Sequence, residues 1–438
     1  LSLGVSLLPP VLGVPAFCLG ALTATPYCDV IIAATIPAIA YFFCLFLTAM
    51  FQSRKQGIEA FGEFTDDMRI TRTDVLHLMQ IFLPILLILI LLLTKKGAVG
   101  CGVLGWMLGA ETIVNNGVCR AIELPWFLQL YQNAAGDAGA TGWWGAALVI
   151  LLLFLDKDFR ATPRKALDAL ADAGITVSTL YLMFLAVTVI DVCLNFTGLS
   201  KFVGIDILSF LLTLDLGGSA SFSMQFLALA ITMLLAVLLG MGMPAVPAYI
   251  NVALLMGPVL AGLGISIFSA HMFIFYFAVA SAITPPVALA AFAAASITKA
   301  DPMRTGFSAV KSGIVMFTLP FVFAIYPELL LIDSAVIDPK TGNFLEGYDG
   351  EIHTGWLIFL GARLAIALFL VSSALAAFDR KALSWIDIAV RIVLAVLILS
   401  RPAEVYLTAL ALAAALLVLH FVQNRTPIPF EPAREHHD

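Results

Sequence analysis

The sequence predicts an all-α polytopic membrane protein assembled from two related units, each containing a helix that is broken inside the membrane. Three observations predict it. Of the 438 residues, 61% are hydrophobic and 12% charged, with a mean hydropathy of +1.02, whereas a soluble domain carries about 25% charged residues. Apolar runs close to the roughly 20 residues that cross a bilayer recur along the chain. Two of these runs are interrupted by consecutive prolines, Pro9-Pro10 and Pro285-Pro286.

The second interruption is the sharper one. Ser281-Ala282-Ile283-Thr284-Pro285-Pro286 lies inside the apolar stretch Phe268 to Ile297, which carries no acidic or basic side chain other than His271. Two prolines in succession remove two backbone donors and disfavour helical geometry at the residue before them, so nearby carbonyls lose their partners. Hydrocarbon tolerates this only where the freed groups are buried in protein or face a water-filled site, which makes the break a candidate ion or substrate site. Leu7-Leu8-Pro9-Pro10-Val11 repeats the device.

The correspondence continues downstream. Pro10 to Pro26 and Pro286 to Pro302 are both sixteen residues apart. Thr25 and Asp301 precede these prolines as N-cap residues, with proline at the first helical position. A further spanning run follows each, Val30 to Phe51 and Phe307 to Ile332. This reads as two copies of one unit, an inverted repeat whose broken helices meet at the membrane midplane.

In chain order the candidate spans are Leu3 to Leu22 (broken), Val30 to Phe51, His77 to Leu93, Trp143 to Leu155, Ile175 to Leu194, Phe202 to Leu214 and Phe222 to Leu239. A Gly/Pro-punctuated, re-entrant hairpin from Gly240 to Gly264 follows, then Ser266 to Ile297 (broken), Phe307 to Ile332, Gly355 to Ala377, Trp385 to Ser400 and Val405 to Val422. Residues 1–51 are then the end of the first repeat and 52–165 connecting spans with an outer loop. Residues 166–332 are the second repeat, with hairpin 240–264 and broken helix 266–297, and 333–438 are additional C-terminal spans and a tail. The chain begins at Leu1 without methionine or a basic n-region, the pattern of an N-terminally incomplete piece of a longer permease.

Basic residues orient the set. Arg54, Lys55, Arg69 and Arg72 share one loop, Lys157, Arg160, Arg164 and Lys165 another, and Arg304 with Lys311 and Arg380 with Lys381 fall in two more. All four lie on one side if the hairpin is re-entrant, and that side is cytoplasmic. The polar stretch Lys96 to Gly142 and the acidic segment Ile332 to Glu351 are then outside. Cys101 and Cys119 share the outer loop, where a disulfide is open to them but not established by spacing. Cys18, Cys28, Cys44 and Cys193 read as packing residues.

Chemistry in such a chain resides in its few membrane-depth polar groups. Asp191, followed by Asn195 and Thr197, is the carboxylate well inside a span; it is either an ion ligand or proton carrier, or a hydrogen-bonded residue near a helix end. Asp215 and Glu328 sit at span ends and are expected to be solvated; His271 could titrate or pair across helices, but near the head of its helix it is expected to be a satisfied interfacial residue. The hairpin tip is Gly240-Met241-Gly242-Met243-Pro244-Ala245-Val246-Pro247, where glycine and proline interrupt regular helix and turn main-chain carbonyls inward. Carbonyls with hydroxyls such as Ser281 and Thr284 suit Na⁺, and helix N-termini suit a carboxylate.

These residues resemble a known family. Gly240-Met-Gly-Met-Pro, Ala248-Tyr, Ala270-His-Met-Phe-Ile-Phe-Tyr-Phe, Ser281-Ala-Ile-Thr-Pro-Pro-Val-Ala-Leu-Ala-Ala-Phe, Ala300-Asp-Pro-Met-Arg-Thr-Gly and Tyr326-Pro-Glu-Leu-Leu-Leu are similar to the large membrane subunit of tripartite ATP-independent periplasmic (TRAP) transporters, nearest the TAXI-type fused permease. The resemblance implies an elevator-type transporter of the bacterial inner membrane that moves organic acids inward with Na⁺ as coupling ion and no other cofactor. Its partners are a periplasmic substrate-binding protein and a small membrane subunit, fused or separate. The ion and substrate sites then fall on Gly240, Gly242, Met243 and Pro244, on Ser281, Thr284, Pro285 and Pro286, and on the segment containing Ser6, Pro9 and Pro10. Three departures stand out: Pro244-Ala-Val-Pro247 replaces the family's usual Pro-Thr-Thr-Ala, Leu-Gly-Val-Ser precedes the first prolines where the family often shows a glycine pair and a polar residue, and Asp191 stands where relatives tend to be apolar, which makes Asp191 and Asn195 possible coupling residues and brings proton coupling forward as an alternative.

Other classes fit less well. A passive channel needs a polar pore-lining face or charged rings, and an intramembrane enzyme needs a nucleophile and base or a metal pair, for which no HExxH or GxSxG pattern occurs. With a net charge of -6 and no basic cluster, nothing points to nucleic acid.

Overall fold

Caps and breakers place the helix ends. The computed structural model describes residues 12, 14–58, 71–94, 96–101, 105, 107–115, 118–155, 157–161, 164–198, 202, 205–207, 209, 210, 213, 222–241, 243–331 and 353–423. Among these, seven helices are long and apolar enough to cross a membrane: Tyr27–Lys55, Asp74–Leu93, Phe222–Gly240, Ala245–Gly262, Pro302–Ile325, Thr354–Ala376 and Ala403–Val422. The chain divides into two compact units, one of Leu8–Ile32 and Gly62–Leu199, the other of Leu1–Leu7, Ala33–Phe61 and Ser200–Asp438.

The first unit holds α1 (Val14–Leu22), the start of α2 (Tyr27–Lys55), α3 (Arg72–Leu93), β1 (Glu111–Asn115), β2 (Val118–Glu123), α4 (Trp126–Ala134), α5 (Ala138–Leu153), α6 (Lys157–Ala161) and α7 (Arg164–Thr197). Thr71 and Asp74 form a reciprocal capping box that starts α3 before its apolar run. Asp137 accepts from the Ala140 amide at 2.8 Å and starts α5 several residues ahead of Trp143. α5 packs on α3, where Gly145 meets Ile88 with no room for a Cβ. The stretch expected only as an outer loop contains an antiparallel β-hairpin, with Asn115 opposite Val118 and Val114 opposite Cys119. Thr112, Ile113, Val114 and Val118 favour extended backbone. Cys101 and Cys119 are joined by a disulfide.

The second unit holds the rest of α2, then α8 (Phe222–Gly240), α9 (Ala245–Gly262), α10 (Ile267–Ala280), a 3-10 turn at Ser281–Ile283, α11 (Leu289–Thr298), α12 (Pro302–Ser312), α13 (Val315–Ile325), a second 3-10 turn at Pro327–Leu330, α14 (Thr354–Ala376), α15 (Trp385–Ile398) and α16 (Ala403–Gln423). α8 and α9 are the two arms of a hairpin: Gln225 Nε2 donates to Leu263 O at 3.0 Å at one end, and Gly240 lies against Ala248 at the other. Gly240 to Gly264 is therefore a short tip and one arm, with α8 as the other arm. Pro247 does not break α9, because it sits in the first turn, where an N–H has no intrahelical acceptor.

α10 is the centre of this unit. Every residue from Phe268 to Ala280 is buried, as expected for a helix apolar on all sides. It packs against α8, α9 and α13, with Phe273 meeting Phe321 at 5.2 Å and Tyr276 meeting Phe323 at 5.3 Å between ring centroids. The Asp301 carboxylate accepts from Arg304 N at 2.7 Å and Pro302 opens α12, as the sequence implies. Thr25 differs from its counterpart Asp301: its hydroxyl is engaged with that of Thr23 at 3.0 Å, and α2 begins at Tyr27. Gly313 separates α12 from α13.

Candidate functional site

α10 ends where the prolines require it to. After Ala280 the backbone tightens into the 3-10 turn, the Pro285-Pro286 peptide is cis, and helix resumes at Leu289. Two hydroxyls cover the carbonyls released by the break. Thr284 Oγ1 donates to Ala280 O at 2.8 Å, and Ser281 Oγ shares its hydrogen between Ala278 O at 2.7 Å and Gly240 O at 3.1 Å.

The last of these bonds joins the two sequence-predicted motifs. Gly240 is the final residue of α8 and Ser281 the first beyond α10, and both are buried. A Cβ on Gly240 would stand 2.6 Å from Ser281 Oγ and 2.7 Å from Ser281 Cβ, so only glycine permits the approach. Past Gly240 the tip turns through Met241, Met243 and Pro244, with Met243 N donating to Gly240 O at 3.2 Å. α12 and the glycine that ends it also pack on the break: Gly306 lies against the Pro285 ring and Gly313 against Ile283, each within about an atom's width of where a Cβ would sit.

The sequence-predicted residues therefore divide. Gly240 and Ser281 are in contact, with Thr284 and Pro285 directly beyond Ser281, Met243 and Pro244 on the tip, and Pro286 exposed. Gly242, Ser6, Pro9, Pro10 and Asp215 lie outside the described residues. Asp191 and Asn195 belong to the backbone of α7, and their side chains are outside the described set.

Two expectations need correcting, and two buried arginines join them. His271 is buried within α10, its Nδ1 2.8 Å from Tyr249 Oη of α9; the cross-helix partner lies 22 residues away and is invisible to local periodicity. Glu328 is 5% exposed, because the chain folds back into the second 3-10 turn instead of emerging. Arg363 and Arg391, cations in the middle of two predicted spans to which sequence reasoning gave no role, are 1% and 0% exposed. A charge inside an apolar run was the available signal.

Chemically, the junction offers two kinds of partner. Ser281 and Thr284 spend their hydrogens on helix carbonyls, which leaves both oxygens acceptors only, the kind of ligand a hard cation takes. The N-termini of α9 and α11 follow Pro244 and Ala288, neither of which supplies a side-chain cap, so first-turn amides and the positive ends of two helix dipoles remain for an anion. Among the described residues no cluster of three His, Cys, Asp or Glu side chains could hold a metal ion.

Comparison with known proteins gives one match. The family profile of the "Tripartite ATP-independent periplasmic transporter, DctM component" matches residues 2–336, a range that contains the hairpin and the broken helix. No curated protein and no solved structure matches the chain.

Proposed function

The chain belongs to the DctM component family of tripartite ATP-independent periplasmic transporters, and from that membership we propose that it carries an organic acid into the cell together with Na⁺, taking the acid from a periplasmic binding protein. Membership makes it a membrane permease of a secondary transporter and implies partnership with a binding protein and a small membrane subunit. The coupling ion, the substrate class and placement in a bacterial inner membrane are our reading.

The observation that carries this reading is the contact between the α8–α9 tip and the break after α10, closed by the Ser281 to Gly240 bond. It sets hydroxyl oxygens and helix C-terminal carbonyls beside the uncapped N-termini of α9 and α11. A cation at the first and a carboxylate at the second would each reduce the other's desolvation cost, so that neither binds well alone, which is the energetic requirement of a symporter. Backbone groups recognise a carboxylate without a buried arginine, which agrees with a tip that reads Pro244-Ala-Val-Pro247 and carries no charge.

The test is uptake of labelled organic acids into proteoliposomes containing the full-length permease, with its binding protein added. Accumulation that needs both the binding protein and an inward Na⁺ gradient is expected. Accumulation on a pH gradient alone would move the coupling to protons and bring Asp191 forward. Flux that ignores both gradients would overturn the proposal.

A further inference from the structure

α14, α15 and α16 lie beyond the matched range of residues 2–336, so what they bind has to be read from their own residues. α15 is short. Its 14 residues rise about 21 Å, against roughly 30 Å of hydrocarbon. Arg380 and Lys381 stand just before its start, so its C-terminal end is the one that stops inside the apolar layer. The last carbonyls there need donors.

Arg363 of α14, 1% exposed, supplies them. Its Nε and Nη2 donate to Ile398 O at 3.0 and 2.8 Å, and Nη2 also donates to Ser400 O at 2.8 Å and Tyr326 Oη at 3.3 Å. Tyr326 Oη donates onward to Ser400 O at 2.9 Å, and Arg401 Nη2 donates to Ile325 O at 2.7 Å. The guanidinium carbon of Arg363 lies 3.9 Å from the centre of the Tyr406 ring and 5.8 Å from that of Trp356.

Two donors are left over. Arg363 Nη1 and Trp356 Nε1 are both buried and meet no acceptor among the described residues. Their side chains leave α14 about two turns apart on one face, and 5.8 Å from guanidinium carbon to ring centre is a gap that one acceptor atom closes. An unmet buried donor is costly, and one on a charged group most of all.

Charge is unbalanced in the same place. Tyr326 lies in the field of Arg363, Arg401 and Glu328, two cations and one carboxylate. A water molecule fits the gap poorly, because indole and guanidinium are donors only and its own two hydrogens would still need acceptors. The carbonyls that Arg363 reaches, Ile398 O and Ser400 O, already accept two bonds each. An anion needs donors alone and removes the surplus positive charge.

We propose that a small inorganic anion of the halide class binds between Arg363 Nη1 and Trp356 Nε1 and stabilises the packing of α14, α15 and α16 around the end of α13. The site is separate from the junction of hairpin tip and broken helix, and it stands whatever ion and substrate that junction takes.

The experiment uses the full-length permease purified in detergent without halide, with thermal unfolding followed at rising sodium chloride and, at equal ionic strength, sodium gluconate. A midpoint that climbs with chloride, saturates, and does not climb with gluconate is expected. Trp356→Phe keeps a ring and deletes one donor, and is expected to raise the half-saturating chloride concentration about tenfold. Equal midpoints in the two salts would overturn the proposal; so would a parental chloride response in Trp356→Phe, which would put the ion elsewhere. If Trp356→Phe fails to fold, crystals of the parent protein soaked in sodium bromide decide the matter. An anomalous-scattering peak between the two side chains is expected, and its absence at a bromide concentration that saturates the thermal shift would overturn the site.

Discussion

Gly240→Ala concentrates the chemistry of the junction in one methyl group. The added carbon would stand 2.6 Å from Ser281 Oγ, 2.7 Å from Ser281 Cβ and 3.4 Å from Ala248 Cβ. The first two distances are far inside van der Waals contact, and Ser281 is held by the backbone of the 3-10 turn, so it cannot swing aside as a long side chain would. Overpacking of this kind costs about 1–3 kcal/mol. Pushing Ser281 back also breaks its 3.1 Å bond to Gly240 O, which adds about 0.5–1.5 kcal/mol. The sum is about 1.5–4.5 kcal/mol, at least about a tenfold bias against the closed junction at about 1.4 kcal/mol per tenfold. Detergent-solubilised protein followed by thermal unfolding, together with uptake in proteoliposomes, reads both consequences; a melting temperature lowered by a few degrees and uptake reduced at least tenfold are expected. Ser281→Gly removes both clashing atoms and is expected to restore much of the loss in the double variant, with a coupling energy of about 1 kcal/mol or more. A Gly240→Ala protein with parental melting and uptake would refute the closed contact between tip and break, and with it the geometry on which the proposed site stands.

Three further outcomes follow from the same structure. Tyr249→Phe leaves His271 Nδ1 without its 2.8 Å partner in a buried site, at a cost of about 1–3 kcal/mol, whereas Tyr249→Phe with His271→Phe is expected to recover part of it; strict additivity in a double-mutant cycle would show that the bond is not made. Replacing Cys101 and Cys119 by serine opens a loop with a sequence separation of 18, costing about 3 kcal/mol in the first unit, and the parent protein isolated from the membrane is expected to yield four alkylatable cysteines of its six, with six counting against the bridge. Arg363→Met strips several charge-assisted bonds from the end of α15 and is expected to destabilise by at least about 3 kcal/mol, while Arg363→Lys, which keeps charge but loses the fork, is expected to recover less than half; full rescue by lysine in a thermal unfolding assay would mean that charge alone matters at this position.

Helices and their interruptions were legible because they depend on neighbours in the chain. Pro285-Pro286 ends α10 whatever surrounds it, since the missing donors and the steric clash are covalent properties of proline. Asp301-Pro302 likewise opens α12, and Tyr27–Lys55 and Phe222–Gly240 follow runs of apolar residues long enough to span hydrocarbon. The β-hairpin is local as well, its strands marked by the β-formers Thr112, Ile113, Val114 and Val118. Where local reading failed, the deciding partner was remote. Ser281 and Gly240 are 41 residues apart in sequence, Tyr249 and His271 22, and Arg363 and Ile398 35.

The sequence by itself determined that this is a multi-pass membrane protein with a broken helix and a Gly/Pro-rich tip, because transfer of apolar side chains and the covalent limits of proline and glycine act residue by residue. What waited on the tertiary fold is that the tip closes on the break, that His271 is buried, and that Arg363 meets helix-end carbonyls and an aromatic face while Arg391 meets the Asp379 carboxylate and the Ser373 hydroxyl. Those outcomes turn on which donor meets which acceptor once water is excluded, and a buried polar group is stable or ruinous according to a partner that the local sequence does not name.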